Sequence, residues 1–284
     1  MSGETVEAWL GRAARLLAEA GVEEPRLEAR ILLAGAAGWP PASIFARRGE
    51  RLADETARRA GAMLDRRRRR QPAAQILGRR EFWGLEFEVT PNVLDPRPDT
   101  ETLVSAALGR IGNRAAPLRV LDLGTGTGCL LLAFLNELPN AQGLGVDLSP
   151  AAVRLAGANA ARLGLSGRAR FAIGDWGGGL VEEFDVILSN PPYIPSGEIA
   201  GLQPEVARWE PWLALDGGAD GLDAYRRLAP HLVRLLHPAG FAAVEVGSTQ
   251  AAAVGSVFAR SGLHLLHCAR DLAGRERCLL LARG

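Results

Sequence analysis

An α/β fold, with a mostly parallel sheet of seven strands behind a small helical domain, is what this sequence predicts. Three observations carry the prediction. Downstream of residue 118, short apolar runs alternate with amphipathic helical stretches, and parallel neighbours need crossovers of that kind. A glycine-rich turn joins the first run to its helix. Upstream of Arg79, apolar residues recur at helical spacing. The 284 residues are 48% apolar and 23% charged with a net charge of +1, the balance of a soluble globular chain and not of a disordered one or a nucleic-acid packager. No window approaches the roughly 18 uninterrupted apolar residues of a membrane span, and the first residues are broken by charges where a signal peptide has its core. A cytoplasmic protein without a membrane partner is expected.

The elements follow in chain order. Val6, Leu10, Ala13 and Leu17 define a first helical face, Leu27, Ile31 and Leu32 a second, and Ala53, Ala57, Ala60, Met63 and Leu64 a third, with Gly21, Pro40 and Pro41 as breaks. Residues 1–80 hold sixteen Arg against ten Asp and Glu, a net +6, whereas the remainder carries −5. Such asymmetry predicts regions with different partners, divided here as a helical domain over 1–78, a hairpin linker over 79–96 and an α/β domain over 97–284. The hairpin is read from EFWGLEFEV, whose aromatic and branched residues flank a Gly. A helix begins near Pro98, where Asp99 and Glu101 suit the positive end of its dipole. Strands are predicted at 118–123, 143–146, 169–173, 184–188 and 241–246, with helices at 130–138, 150–163, 222–236 and 250–260 between them. Runs at 263–267 and 278–281 close the sheet as an antiparallel pair across DLAGRER.

Several chemistries are disfavoured at once. Cys129, Cys268 and Cys278 are widely spaced beside apolar runs, so neither a disulfide framework nor a zinc site is expected. His231, His237, His264 and His267 show no metal-ligand spacing, and no metal is predicted. The chain contains no Lys, so all 33 basic residues are Arg, which removes Schiff-base and Walker-type lysine mechanisms. The arginine run at 66–70 reads equally as the solvated end of a helix and as a partner contact.

The cofactor signal is VLDLGTGTG, with Gly124, Gly126 and Gly128 between the first predicted strand and its helix. Without Cβ atoms, such a turn is tight and its backbone approaches a ligand closely. Asp147, 19 residues beyond Gly128 at the tip of the next strand, is placed to accept hydrogen bonds from two ribose hydroxyls. Dinucleotide sites use GxGxxG; this loop is GxGxG, with Cys129 where that pattern wants Gly or Ala. A nucleoside ligand is therefore expected, at a loop that departs from the dinucleotide pattern. Asp175-Trp176 ends the third strand and offers a carboxylate and an aromatic surface. After the fourth strand stands Asn190-Pro191-Pro192-Tyr193. Two prolines remove two donors and lock φ, so the chain must turn stiffly at the carboxyl end of the sheet, where open α/β sheets bind ligands. The Asn190 amide oxygen and the Pro191 carbonyl can then accept hydrogen bonds from one planar NH2 group, with Tyr193 over its plane.

The loop spacing resembles the first motif of class I S-adenosylmethionine-dependent methyltransferases, with their Rossmann-like sheet. Together with the NPPY tetrapeptide it resembles the amino-methyltransferases that alkylate nitrogen conjugated to a π system: adenine N6, guanine N2 or a glutamine carboxamide. Further segments narrow the resemblance: QILG running into EFWG, then Pro96-Arg97-Pro98-Asp99-Thr100-Glu101, Glu210-Pro211 and Leu215-Asp216-Gly217-Gly218. With LEARILLAGAAG and DLAGRER, these make nearly the whole chain similar to the bacterial peptide chain release factor glutamine methyltransferases, the PrmC/HemK family.

The resemblance implies methyl transfer from S-adenosylmethionine, with S-adenosylhomocysteine as product, to the N5 nitrogen of the glutamine in the GGQ loop of class-1 release factors. It implies Gly124, Thr125, Gly126, Thr127, Gly128, Asp147, Trp176 and Asn190 as cofactor-binding, and Asn190, Pro191, Pro192 and Tyr193 as catalytic and substrate-binding. Arg97 joins the substrate site, Pro98, Asp99 and Thr100 form the nearby wall, and Phe82 lies close to it. Asp95 departs from the apolar residue expected before Pro96. The helical region is expected to grip the release factor. Two other substrates stay open, a ribosomal-protein glutamine and an exocyclic amine of DNA or rRNA, the latter disfavoured by the modest total charge.

Overall fold

The computed structural model describes residues 4–284 and separates into two compact units. One runs up to Gly78 and also takes in Gln203–Trp209; the other comprises Arg79–Leu202 and Glu210–Gly284.

The first unit is helical. Helix α1 (Val6–Glu19) is capped by the Thr5 hydroxyl, which accepts from the Ala8 N–H at 3.2 Å. Helix α2 (Pro25–Ala37) starts on a proline and stops at Gly38, whose φ of 69° supplies the left-handed cap. Helix α3 (Asp54–Arg68) carries acids in its first turn and arginines in its last, matching its dipole, and α4 (Ala73–Leu77) is a single short turn. Trp9, Leu17, Leu32, Leu33 and Ile44 are fully buried among them. Helix α8 (Pro204–Trp209) belongs here through charge: Glu205 accepts from Arg67 at 2.8 Å and from Arg70 at 2.7 and 2.6 Å, while Arg67 also pairs with Glu28 at 3.1 Å.

In the second unit a hairpin of β1 (Arg79–Phe82) and β2 (Leu85–Glu88) comes first. It is more than a connection, since Phe82 and Phe87 meet edge-on at 6.2 Å inside the main core. Helix α5 (Glu101–Arg110) follows a short 3-10 turn over Pro98–Thr100. The chain then alternates: β3 (Arg119–Leu123), α6 (Cys129–Glu137), β4 (Gln142–Asp147), α7 (Pro150–Arg162), β5 (Ala169–Ile173) and β6 (Phe184–Ser189). It ends with α9 (Asp223–Leu235), β7 (Leu236–Glu245), α10 (Ala251–Arg260), β8 (Leu263–Arg270) and β9 (Glu276–Arg283).

These strands form one seven-stranded sheet in the order β5-β4-β3-β6-β7-β9-β8, parallel from β5 to β7 and antiparallel at β9 and β8. The predicted architecture is the observed one. Apolar clusters on the two faces, one around Phe134 and Leu131 and the other around Tyr225 and Phe258, cover the sheet as parallel strands require. Strand β7 starts earlier than its apolar run indicates: Leu236 pairs with Phe184 across an irregularity, which draws His237 and Pro238 into the strand. After β3 the chain winds outward through β4 and β5, then returns to the other side of β3 with β6. The order reverses there, which opens a crevice at the carboxyl ends of β3, β4 and β6.

Candidate active site

The turn after β3 needs its glycines. Gly124, Gly126 and Gly128 hold φ values of 78°, 54° and 80°, and a Cβ on Gly128 would stand 3.1 Å from that of Ala156. The backbone N–H groups of Gly124 and Thr125 donate to the Val146 carbonyl at 2.9 and 3.0 Å, which docks the turn on β4. Asp147 fixes it further, accepting from Gly126 N at 2.9 Å through Oδ2 and from Ser149 N at 2.8 Å through Oδ1. Below the turn, the Thr125 hydroxyl donates to Asp122 Oδ2 at 2.6 Å. Asp122 is wholly buried with Oδ1 unpartnered, and burial pushes its carboxyl up to about 7.

Asn159 is a residue that sequence reasoning missed. Fully buried on α7, it donates to the Thr127 carbonyl at 3.0 Å and to Glu88 O at 3.1 Å while accepting from Glu88 N at 2.8 Å. It thereby ties the glycine turn to the hairpin. Its only signal was an amide at an inward position of an otherwise apolar helical face.

Trp176 adopts a left-handed φ of 50° and turns its indole toward the glycine turn, 3.7 Å from where a Gly124 Cβ would lie. Asp175 beside it is held by Arg227, whose Nη2 donates to both carboxylate oxygens at 2.7 Å.

The NPPY corner leaves the end of β6. Ser189 locks that end by donating to the Leu123 carbonyl at 2.7 Å. Asn190 Nδ2 donates to Thr100 Oγ1 at 3.2 Å, and the Tyr193 hydroxyl donates to Glu245 Oε1 at 3.4 Å. Beyond the corner, Gln250 donates to the Tyr193 carbonyl at 2.9 Å and Ile194 bridges to Asp216, so the turn is held from both sides. Arg97 forks onto Glu210, its Nη2 donating at 2.6 and 2.5 Å. The Glu210 side chain is 1% exposed, and burial raises its carboxyl to about 7 against the pull of Arg97. Neighbouring Asp95 is also buried, with Oδ1 unpartnered and its carboxyl raised by burial.

These features surround one cavity of about 450 Å³, within the usual range for a small-molecule site. Gly124, Thr125, Gly126, Thr127, Asp147, Trp176, Asn190, Pro192, Arg97 and Thr100 line it. Gly128, Pro191 and Tyr193, also expected at the site, are not among the residues that line it. Phe82 does not reach the cavity: expected near it, the ring is spent in the core with Phe87, where the hairpin needs an apolar anchor. Glu245 and Arg277 were the other omissions, for no motif marks them in the apolar runs FAAVEV and RCLLL.

Comparison with known proteins agrees with this geometry. Residues 8–78 match the family of the PrmC N-terminal domain, and residues 115–246 match a methyltransferase domain. The fold likeness extends to the hMettl16 catalytic domain, solved in complex with MAT2A 3′UTR hairpin 6, at a TM-score of 0.59 and 16% identity over 74% of this chain and 81% of that one. Fold and site thus define the class, a Rossmann-like S-adenosylmethionine-dependent methyltransferase. The release factor glutamine methyltransferase of Rhodospirillum rubrum is 49% identical over 274 residues, 96% of this chain and 84% of the relative. That of Cereibacter sphaeroides is 47% identical over 262 residues, 92% of each. The chain belongs to the release factor glutamine methyltransferase family.

Proposed function

We propose that this chain transfers the methyl group of S-adenosylmethionine to the N5 side-chain nitrogen of the glutamine in the GGQ loop of class-1 peptide chain release factors. The observation that carries the proposal is the polarity of Asn190. With Nδ2 donating to Thr100, its Oδ1 is left to accept a hydrogen bond from a substrate N–H at the mouth of the β6 end. Family membership supports the choice of a glutamine amide over a nucleobase.

The residues around the cavity suit the cofactor. Three positive-φ glycines bring backbone close to a ligand, and Trp176 offers a flat wall for an adenine. Asp147 spends two of about four acceptor sites on Gly126 and Ser149, leaving two for ribose hydroxyls. When bound, S-adenosylmethionine supplies an electrophilic methyl group on a sulfonium.

The chain's own work is positioning. An amide nitrogen is a weak nucleophile because its lone pair is delocalised, and the corner offers no strong base. Asn190 Oδ1 and the Pro191 carbonyl accept both N–H bonds of the substrate amide, localise density on nitrogen and aim the lone pair. Neither Pro191 nor Pro192 has an N–H, so the corner presents acceptors where donors would repel the substrate. Tyr193 closes over the amide plane, and the proton leaves to water once the nitrogen has been alkylated. Arg97, braced by Glu210, contacts the substrate loop from the wall. The helical region up to residue 78, with its excess of arginine, docks the acidic partner in the cytoplasm.

Incubation with isotope-labelled cofactor, alongside purified release factor, ribosomal protein and rRNA, followed by mass mapping, tests this. Label on the GGQ glutamine is the expected result; label on RNA or on a ribosomal-protein glutamine overturns it.

A further inference from the structure

The 3-10 turn over Trp212–Ala214 stands at the rim of the cavity and takes no part in the reaction as derived. Trp212 is 54% and Leu213 59% exposed, the one place among the described residues where two successive large apolar side chains face solvent. Apolar residues scattered singly over a surface are ordinary. An adjacent pair beside a binding cavity instead leaves apolar area in water that a partner can cover. Leu213 lines the cavity together with Asn190 and Arg97, whereas Trp212 is not among the lining residues.

The pair is presented rigidly. Ala214 N donates to the Pro211 carbonyl at 2.9 Å, and Leu215 N and Asp216 N both donate to the Trp212 carbonyl at 3.0 Å, which closes the turn. Leu215, 4% exposed, pins it from inside. The Trp212 indole N–H donates to Asp216 Oδ2 at 2.9 Å, while Asp216 Oδ1 accepts from Ser196 Oγ at 2.6 Å and from Gly218 N at 2.9 Å. With its one polar atom engaged, the indole offers a partner apolar surface that is already ordered. The turn is also registered against the catalytic corner. Ile194, the residue after NPPY, donates from N to the Leu215 carbonyl at 3.0 Å, and Gly217 N donates to the Ile194 carbonyl at 2.9 Å. Whatever seats on Trp212 and Leu213 is therefore held at a fixed reach from Asn190.

We propose that Trp212 and Leu213 form a docking rim for the protein segment that carries the acceptor glutamine, seating an apolar side chain that flanks it. The inference rests on the release factor reading above. The cofactor does not account for the pair, since the glycine turn, Asp147 and Trp176 that suit it lie within the cavity and Trp212 does not line that cavity. A glutamine side chain reaches the NPPY corner only if its own main chain crosses the rim, so the rim meets the residues on either side of the glutamine. Arg97 supplies the polar half of the cradle. Among the described residues only its Nη2 is engaged, by Glu210, which leaves Nε and Nη1 to donate to carbonyl oxygens of the same segment. Glu210 and Pro211 lead directly into the turn, so one short stretch of chain sets both the arginine and the apolar pair.

The test uses the full-length chain and whole release factor. Trp212→Ala and Leu213→Ser are each expected to raise the KM for release factor about 10–30-fold, as truncating an interface anchor does, with the loss falling on that KM and not on kcat or on the KM for S-adenosylmethionine. Leu272→Ala, which alters an exposed apolar side chain in the β8–β9 turn, is the control and is expected to move none of them. In parallel, Trp212→p-benzoylphenylalanine is irradiated with release factor, and the cross-link, mapped by mass, is expected within about five residues of the methylated glutamine, given about 3.5 Å of reach per residue. A cross-link to a remote part of the release factor or to a second copy of this chain, no cross-link at all, or KM values within threefold of the wild type for both variants overturns the proposal. Should Trp212→Ala not fold, Leu213→Ser and the cross-link decide. A wild type that leaves release factor unlabelled defeats the substrate reading before any variant is compared, whereas normal wild-type labelling with unmoved variants defeats the rim alone.

Discussion

Replacing Asp147 by Ala strips the acceptor from two backbone N–H groups, Gly126 at 2.9 Å and Ser149 at 2.8 Å, and from the two ribose hydroxyls that the carboxylate would receive. A hydrogen bond to a charged group is worth about 1.5–3 kcal/mol. The ribose side alone would thus cost about 3–6 kcal/mol, were water not to enter the gap and return part of it. A net loss of about 3–4 kcal/mol remains, a rise in the Kd for S-adenosylmethionine of about 10²–10³-fold. Asp147→Asn is no milder. Its single oxygen can satisfy Gly126 or Ser149 but not both, and its NH2 opposes whichever N–H is left. Isothermal titration calorimetry of both variants at fixed ionic strength measures the effect. If either binds within threefold of the wild type, the ribose does not lie on Asp147 and the cofactor geometry argued here is wrong.

The remaining predictions concern chemistry and stability. Asn190→Ala is expected to lower kcat by about 10²–10³ while leaving cofactor affinity nearly intact, as for a lost transition-state contact; steady-state kinetics with a separate binding measurement would expose equal activity. Glu205→Ala leaves Arg70 without its carboxylate and Arg67, 5% exposed, with Glu28 alone, so a stability loss of about 1.5–3 kcal/mol is expected in denaturant titration. Burial opposes the charge on Glu205, but Arg70 and Arg67 hold its carboxyl below the usual range. Its contribution is therefore present at neutral pH and disappears on acidification. Asp122 has the opposite sign. With its carboxyl raised from 3.8 to about 7, the folded chain keeps a proton that the unfolded chain has released. Stability then falls as pH rises across that interval, by up to about 4 kcal/mol relative to Asp122→Asn. Denaturant titrations of the two proteins at pH 5 and pH 8 give the comparison, and a difference that does not widen with pH would refute the burial argument.

What could be read from the residues was whatever is written locally. Strand and helix alternation, the glycine turn and the proline corner are each contained within a dozen residues, and their periodicity or missing donors fix the backbone directly. Asp147 was legible because it ends the strand next to the turn it serves. Glu245, Asn159 and Arg277 act through partners dozens to over a hundred residues away, and no local pattern distinguishes them from ordinary helix and strand residues. Arg97 was found, yet its ion pair with Glu210 was not, since pairing across 113 residues depends on how the loops fold back. Phe82 misled for a related reason: an aromatic beside a glycine hairpin reads the same whether it lines a cavity or anchors a core. The grouping of Gln203–Trp209 with the helical unit likewise rests on a charge cluster invisible along the chain.

The placement of β9 between β7 and β8 sets an order of assembly. β8 is synthesised first but has no hydrogen-bonding edge to join until β9 has been laid against β7. Until β9 docks, the flank of β7 is an unpaired edge inviting intermolecular strand pairing. Arg277 arrives with the same late strand. The electrostatic surroundings of Glu245 are completed only as the sheet closes, so partly built chains would carry a formed glycine turn and an unfinished corner.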